Sequence, residues 1–384
     1  MPDIVVIGGG ITGTATADAL AREGHAVTLI EARSIAAMAS GWTLGGVRQS
    51  GRDPAELPLA RAAVAIWAEL RETLDADVEY RRNGNLRLAR TPAEFDVIRA
   101  LVAGQRERGL DIDFLPDNAA VRAIAPALSA NILAASFCPT DGHANPIKAT
   151  HALAESARRH RATIRENVAA RAIRVARDRV TGIETDAGFI SADRVIVSAG
   201  VNTPELLRPL GLDLPLSIRI VTVVQSEPLS PCFDQVFGVA NADCAGRQEA
   251  DGRLRFTGGL GQWELDPARW TTDSLAPSAS EVRNVVDLVA NVLPAAGRAP
   301  IARTWGGLID LTPDALPVID APESVAGLVV AAGFSGHGFC LGPISGLLCA
   351  DLALERRPRL DLSAFRLGRF KDKSIATADL TLHG

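Results

Sequence analysis

No two of the five cysteines in this 384-residue sequence form a CxxC pair. Cys138, Cys232, Cys244, Cys340 and Cys349 are scattered and odd in number, which argues against a disulfide framework or a zinc site and fits a reducing compartment. A basic field is missing too. Forty lysines and arginines stand against 45 aspartates and glutamates, a net charge of −5, so nucleic acid and anionic membrane surfaces are not expected partners. The longest apolar run, Val325 to Phe334, is about half the roughly 20 residues that a membrane-spanning helix needs. The N-terminal MPDIVVIGGG has neither the basic stretch nor the cleavage site of a signal peptide. These absences predict a soluble, cytoplasmic protein that reaches a membrane only through a partner. What is present is a hydrophobic content of 47% with 22% charged residues, enough for a large core, and a length that suits two intimate domains.

Residues 3–31 read as a βαβ unit. DIVVIG is a buried strand, Ile11, Ala15, Ala19 and Leu20 have helical spacing, Gly24 ends the helix, and HAVTLIE is the second strand. The same style returns in residues 179–200, a hairpin followed by a strand that stops at a glycine, and in residues 327–334. The intervening segments differ. Thr91, Pro92, Glu94 and Gly109 are the cap, first residue, capping-box partner and stop of a surface helix. YRRNGNLRLAR and RLRFTGGLGQW alternate like antiparallel strands, and residues 271–280 read as an exposed loop before a helix near Glu281. The predicted fold is α/β plus α+β. A discontinuous, Rossmann-like dinucleotide-binding domain covers 1–82, 143–215 and 300–370, an antiparallel-sheet substrate domain covers 83–142 and 216–299, and 371–384 form a C-terminal tail.

Gly8, Gly10 and Gly13 make a GxGxxG between strand and helix, and Glu31 ends the next strand. Gly8 permits the tight turn, Gly10 admits a pyrophosphate to the helix N-terminus, and Gly13 lets helix and strand pack closely. A carboxylate at Glu31 accepts from ribose hydroxyls and repels a 2′-phosphate, which selects FAD or NAD over NADP. ASGWTLGGVR (39–48) and the glycine-rich GFSGHGFCLGP (333–343) lie at opposite ends of the chain. A ligand touching both is extended, and FAD meets that requirement. The helix start expected after Pro343 offers its dipole to the reduced ring.

IVVIGGGITG with Glu31, SGWTLGGVR, ADRVIVSAG, WGGLIDLTPDALPVI and GFSGHGF resemble the D-amino-acid-oxidase-type flavoprotein superfamily. The resemblance spans roughly residues 1–370 and leads to the branch with glycine oxidase and the sarcosine oxidases, especially the β subunits of heteromeric enzymes. It implies noncovalent FAD, a substrate domain over the flavin's re face, and oxidation of an amine C–H by hydride transfer to flavin N5. It also implies Gly10, Gly13, Glu31, Arg33, Ser40, Gly46 and Arg48 around FAD, Val168 at the adenine, and Gly333, Gly336, His337 and Gly338 at the flavin ring.

Departures from the pattern narrow the expectation. The lysine that follows GFSGHGF in monomeric sarcosine oxidases is Cys340 here, and Thr257, Gly258 and Gly259 occupy the strand where those enzymes carry an oxygen-activating lysine. Pro146 takes the place of the histidine that bears covalent FMN in heterotetrameric sarcosine oxidase. Noncovalent FMN at a subunit interface, near His143 and Lys148, stays open. The basic run Arg158, Arg159, His160 and Arg161 reads as a helix C-terminus. Arg48, Arg52, Arg219 and Arg247 are candidates for a substrate carboxylate, and His143, Gln262, Trp263, Trp305 and His337 for the pocket wall. No metal site is expected. The expected function is oxidation of a secondary amine or amino acid (opine, proline, hydroxyproline, sarcosine or glycine-like) to an imine. The chain would act as the β-type subunit of a heteromeric dehydrogenase, with a larger α subunit and a small iron–sulfur subunit as partners. The rivals are a stand-alone oxidase making hydrogen peroxide and a non-catalytic FAD-binding relay subunit.

Overall fold

The computed structural model describes residues 3–266, 270–271 and 273–371; the expected tail beyond 371 lies outside them. Alternation in the first strand, Asp3–Ile7, sets the architecture, since Ile4 and Val6 enter one apolar cluster while Val5 and Ile7 enter another on the opposite face. The strand is central to a six-stranded sheet ordered Val318–Asp320, Leu328–Ala332, Arg194–Val197, Asp3–Ile7, Ala26–Glu31 and Thr163–Glu166. All its pairings are parallel except the outermost, between Val318–Asp320 and Leu328–Ala332.

The first helix, Ile11–Arg22, is buried along its whole length up to Ala21. Helices Leu57–Leu74, Pro146–Arg159 and Gly338–Ala353 pack on the same face of the sheet, and Gly346 lies against Ala15 with no room for a side chain between them. A three-stranded hairpin sheet, residues 170–191, covers part of the other face.

The second sheet has eight strands, ordered Ile301–Leu311, Ser217–Pro228, Arg253–Gln262, Cys244–Gln248, Val236–Val239, Asn85–Ala89, Ala134–Cys138 and Asp113–Leu115. It is antiparallel but for one join, where Val236–Val239 runs parallel to Asn85–Ala89 and so unites the two insertions. Ile301–Leu311 corrects the expected boundary at 300. Its backbone pairs with Ser217–Pro228 over its whole length, placing it in this sheet rather than with the dinucleotide-binding segments. One face of the sheet packs on the helix Ala279–Ala290 through Leu86, Leu88, Leu254 and Phe256. Arg87, Arg255 and Thr257 therefore face the other way.

Local signals hold at most helix ends. Thr91 caps Pro92–Glu107, although Glu94 reaches the Arg90 amide instead of closing a box on Thr91. Ser278 and Glu281 do form the reciprocal box at Ala279–Ala290. The last long helix begins at Gly338, earlier than expected, with Pro343 inside it. The basic residues at the end of Pro146–Arg159 serve internal contacts: Arg158 pairs with Glu155 and Glu166, and Arg159 caps the Leu74 carbonyl.

The turn at Gly8 (φ +111°) brings its carbonyl under the first helix, where a Cβ on Gly13 would lie 1.9 Å from that oxygen and 2.7 Å from Ser198 Oγ. Gly13→Ala is expected to lower the unfolding free energy by about 1–3 kcal/mol, measured by urea denaturation. An unchanged midpoint would mean that helix and strand separate freely there.

Candidate active site

Between the sheets lies a cavity of about 870 Å³, within the range of roughly 300–1,000 Å³ common for cofactor and ligand sites. At one end Gly8 and Gly10 line it where the first helix begins. Ser40 Oγ accepts from the Ile11 amide at 2.9 Å, and a Cβ on Gly10 would come within 3.0 Å of that hydroxyl. No acidic residue sits in the first turn, so the helix dipole is available to an anion. Glu31 accepts from Gly9 N at 2.7 Å on one oxygen and from Arg33 N at 2.8 Å on the other, which leaves each oxygen a further lone pair for a ribose hydroxyl. Burial raises its pKa, opposed by those two amides and the Arg33 charge. Val168 N donates to the Glu31 carbonyl at 2.9 Å, which fixes Val168 at this end. The Arg33 guanidinium stacks 3.6 Å from the Trp270 ring centroid and donates to its carbonyl at 3.2 Å.

At the other end a turn with Gly333 (φ +69°), Ser335 (+51°) and Gly336 (+84°) leads into the last long helix. Asp310 holds this turn from the neighbouring sheet, its carboxylate accepting from Gly333 N at 2.8 Å and its carbonyl from Ser335 N at 3.0 Å. Burial pushes the Asp310 carboxyl up to about 6 against the pull of the Gly333 amide, its own amide and that of Phe334. His337 and Gly338 line the cavity, so the unsatisfied amides of the helix's first turn lie beside it. His337 Nδ1 lies 3.0 Å from Glu56 Oε2, with both side chains buried. Burial raises the Glu56 carboxyl, but attraction to His337 and Arg52 outweighs it and leaves Glu56 at about 2. Burial and the Arg52 charge bring His337 to about 4 despite Glu56. At neutral pH the ring is uncharged and its Nδ1–H donates a hydrogen bond to the carboxylate.

Arg48 and Arg52 flank that pair. Arg48 Nη1 donates to the Ser50 carbonyl at 2.6 Å, and Arg52 Nη1 lies 3.7 Å from Glu56 Oε2, buried and with no hydrogen-bond acceptor. Behind them Asp141, fully buried, accepts from Gln49 N, Ser50 N and Ser50 Oγ at 2.8, 3.2 and 2.5 Å.

Three successive carbonyls of the segment that walls the middle of the cavity are gripped from the second sheet. Trp305 Nε1 donates to Trp42 O at 3.2 Å, Arg255 Nη1 to Thr43 O at 2.9 Å, and Arg247 Nε to Leu44 O. Glu249 balances both guanidiniums, at 3.3 Å from Arg247 Nη2 and 3.1 Å from Arg255 Nη2, and Gln225 donates to its other oxygen.

The cavity gathers Gly8, Gly10, Glu31, Arg33, Ser40, Gly46, Arg48, Arg52, Val168, Gly336, His337 and Gly338. The other candidates are placed elsewhere. Gly13 serves packing, and Gly333 serves the turn. His143 is buried, held 2.9 Å from Arg247 Nη1, with its pKa well below the usual value through burial and that charge. Gln262 is exposed at a strand end, and Trp305 is spent on the Trp42 carbonyl between Arg255 and Arg303. Trp263, Arg219 and Arg247 also lie off the cavity wall. Lys148 is exposed and paired with Glu79, and Cys340 is a buried thiol, raised by burial, against the Arg48 carbonyl. Sequence reasoning missed Glu56, Arg87, Asp141, Arg255 and Asp310. Only Glu56, four residues after Arg52, carried a local signal.

A model of the family described as FAD dependent oxidoreductase matches residues 3–352. The chain is 27% identical to sarcosine oxidase subunit beta of Rhizobium meliloti (strain 1021), over 96% of this chain and 88% of that one. It is 28% identical to 4-methylaminobutanoate oxidase (formaldehyde-forming) of Paenarthrobacter nicotinovorans over 95% of its own length, but spans 45% of that protein. The crystal structure of L-proline dehydrogenase from P. horikoshii superposes with a TM-score of 0.88 at 26% identity, covering 97% of this chain and 98% of the other. The cradle at Gly8 and Gly10, the Glu31 carboxylate and the amide-bearing helix start at Gly338 fit an extended FAD.

Two expectations follow. Arg255→Met breaks a buried ion pair, which costs about 3 kcal/mol or more, and is expected to weaken FAD retention about tenfold, read from flavin released on dilution; unaltered retention would mean the grip on Thr43 is dispensable. The folded His337 titrates near 4 and the unfolded one near 6.5, so the unfolded chain binds more protons between these values and stability rises with pH. Asp310, raised from 3.8 to about 6, gives the opposite slope over its own range. His337→Gln should remove up to about 1.4 kcal/mol per pH unit of the rise between pH 4 and 6.5, seen in urea unfolding across that range. An identical slope would contradict a buried neutral imidazole.

Proposed function

The chain belongs to the FAD-dependent oxidoreductase family, and from that premise we propose that it oxidises a carboxylate-bearing secondary amine or amino acid to an imine, as the β-type subunit of a heteromeric dehydrogenase. FAD-dependent oxidation of amines or amino acids is its general activity. The observation that carries the finer reading is Arg52, a cavity-lining guanidinium that is 6% exposed and whose buried Nη1 lacks an acceptor. A substrate carboxylate completes it. Arg48 beside it supplies a second fork, and such charge-assisted pairs both hold and orient. Val221, Val223 and Phe237 wall the same cavity and exclude water from the reacting carbon. A bound FAD would supply the hydride acceptor for the carbon next to nitrogen, and water would hydrolyse the imine. Positioning by the two arginines and by the Asp310-held turn is the chain's share of the rate.

An onward electron acceptor is supported by the cavity wall. Thr257 lines it where monomeric sarcosine oxidases carry lysine, and no lysine lines it among the described residues. The proposed partners are a larger α subunit and a small iron–sulfur subunit, with noncovalent FMN at the interface. No helix among the described residues is long and apolar enough to cross a membrane.

Anaerobic titration of the FAD-loaded chain with sarcosine, D- and L-proline, hydroxyprolines and N-(carboxyalkyl) amino acids, followed by air, tests this. Bleaching with slow reoxidation is expected, and Arg52→Met should raise the half-bleaching concentration about 100-fold, as loss of a buried charge partner does. Fast reoxidation with peroxide would instead establish a stand-alone oxidase, and a flavin that no amine bleaches would leave a relay subunit.

A further inference from the structure

We propose that Thr257 is a catalytic residue whose hydroxyl accepts a hydrogen bond from the N–H of the reacting amine, so that amines carrying an N–H are oxidised in preference to tertiary ones. The inference rests on the amine-oxidising reading and deepens it by naming the group that holds the nitrogen.

Thr257 lies in the strand Arg253–Gln262, whose Leu254 and Phe256 enter the core beneath the sheet. Alternation turns Thr257 to the opposite face, where it is 5% exposed and lines the cavity. Register sets Ala245 on one side of it and Val223 on the other, and both line the same cavity. Cross-strand neighbours on one face are the first partners a side chain meets, and neither of these has a polar side-chain atom. Arg255, two residues earlier on the same face, is committed to the Thr43 carbonyl and to Glu249. The Thr257 hydroxyl accordingly makes no hydrogen bond to any described residue, and its oxygen is open to the cavity.

Hydroxyls this deep are nearly always hydrogen-bonded, so one open hydroxyl in an apolar patch fits a ligand with a polar atom at the same place. The rest of the row makes room for that ligand. Gly238 continues it beyond Ala245, and a Cβ there would meet nothing nearer than the Ala245 Cβ at 4.0 Å. With the substrate carboxylate on Arg52 and Arg48, the polar atom left for Thr257 is the nitrogen.

Chemistry fixes the direction of the hydrogen bond. As the C–H bond breaks and the hydride leaves with its electron pair for the cofactor, the nitrogen lone pair becomes the second bond of C=N and the nitrogen turns positive. A hydroxyl donating to that lone pair would oppose the step. Accepting from the N–H instead leaves the lone pair free, and a threonine hydroxyl rotates to present an acceptor. The contact tightens as the nitrogen gains charge, since charge-assisted hydrogen bonds are about twice as strong as neutral ones. An interaction stronger in the transition state than in the ground state raises the limiting rate. A tertiary amine has no N–H and gains nothing from it.

The test uses the FAD-loaded chain, anaerobic rapid mixing and two matched pairs. Sarcosine carries an N–H that N,N-dimethylglycine replaces with a methyl group; pyrrole-2-carboxylate carries one that furan-2-carboxylate replaces with oxygen, and this aromatic pair is unreactive. Sarcosine is expected to reduce the flavin at a limiting rate at least tenfold above N,N-dimethylglycine, and the pyrrole to perturb the oxidised flavin spectrum at least fivefold more tightly than the furan. Thr257→Val keeps the shape without the hydroxyl. It should lower the limiting rate with sarcosine about 30-fold, as loss of a hydrogen bond to a charged group does, with a smaller change in the half-saturating concentration, and erase both preferences. Thr257→Ser should restore them. Equal binding of pyrrole and furan by the unaltered chain, a pyrrole preference that survives Thr257→Val, or an equal loss for sarcosine and N,N-dimethylglycine in that variant would overturn the inference even if sarcosine bleaches the flavin. A pyrrole preference that Thr257→Val removes, without reduction by any amine, would support the N–H contact and reject the amine-oxidising reading.

Discussion

The grip of Arg247, Arg255 and Trp305 on the carbonyls of Leu44, Thr43 and Trp42 is the constraint from which the site's geometry follows. This stretch, flanked by Ser40 and Arg48, has only a four-residue helix and a two-residue strand of its own. Its backbone groups need partners, and the second sheet supplies them. Held there, Ser40 reaches the first helix and Arg48 reaches the substrate end. Two buried arginines this close are tolerable because Glu249 lies within 3.3 Å of both, so desolvation is offset inside the network instead of at the cavity. The cofactor-binding half is thus shaped by side chains from the other half.

On the substrate side the charges are sorted by depth. Carboxylates sit behind, tied to amides and to a neutral imidazole, while guanidiniums sit at the wall. Glu56 also lies 3.7 Å from Arg52 Nη1, so one guanidinium of the wall is partly compensated from behind. Burial, and then the Arg52 and Arg48 charges, keep His337 uncharged against the pull of Glu56.

What the sequence made legible was whatever short spacing encodes: the βαβ unit, the GxGxxG turn with Glu31, the hairpin before Arg194–Val197, and the cap at Thr91. The residues expected around FAD cluster in short motifs, and most of them line one cavity. The substrate end was not. NLRLA reads as a strand with one wet face, and Arg87 would then be a surface residue; it is buried because the cofactor-binding half covers that face, a fact held in no local window. Asp141 is likewise defined by partners 91 and 92 positions away. His143 and Trp305 were plausible for chemistry by residue type, but each meets a polar group of its own chain first. The strand Ile301–Leu311 was misassigned for a related reason, since its apolar run suits either sheet and only its pairing with Ser217–Pro228 decides.

The packing of the first helix against the last long one sets a schedule for synthesis. Ile11–Arg22 is buried on every side, yet part of the surface that covers it arrives with Gly338–Ala353, over 300 residues later. At translation rates of about 5–20 residues per second, the ribosome presents that helix uncovered for on the order of tens of seconds. During this interval the nucleotide cradle is tethered to a sheet still missing strands. Until then the growing chain exposes apolar surface of the aggregation-prone kind, and the Gly336–Gly338 end of the cavity is not yet made.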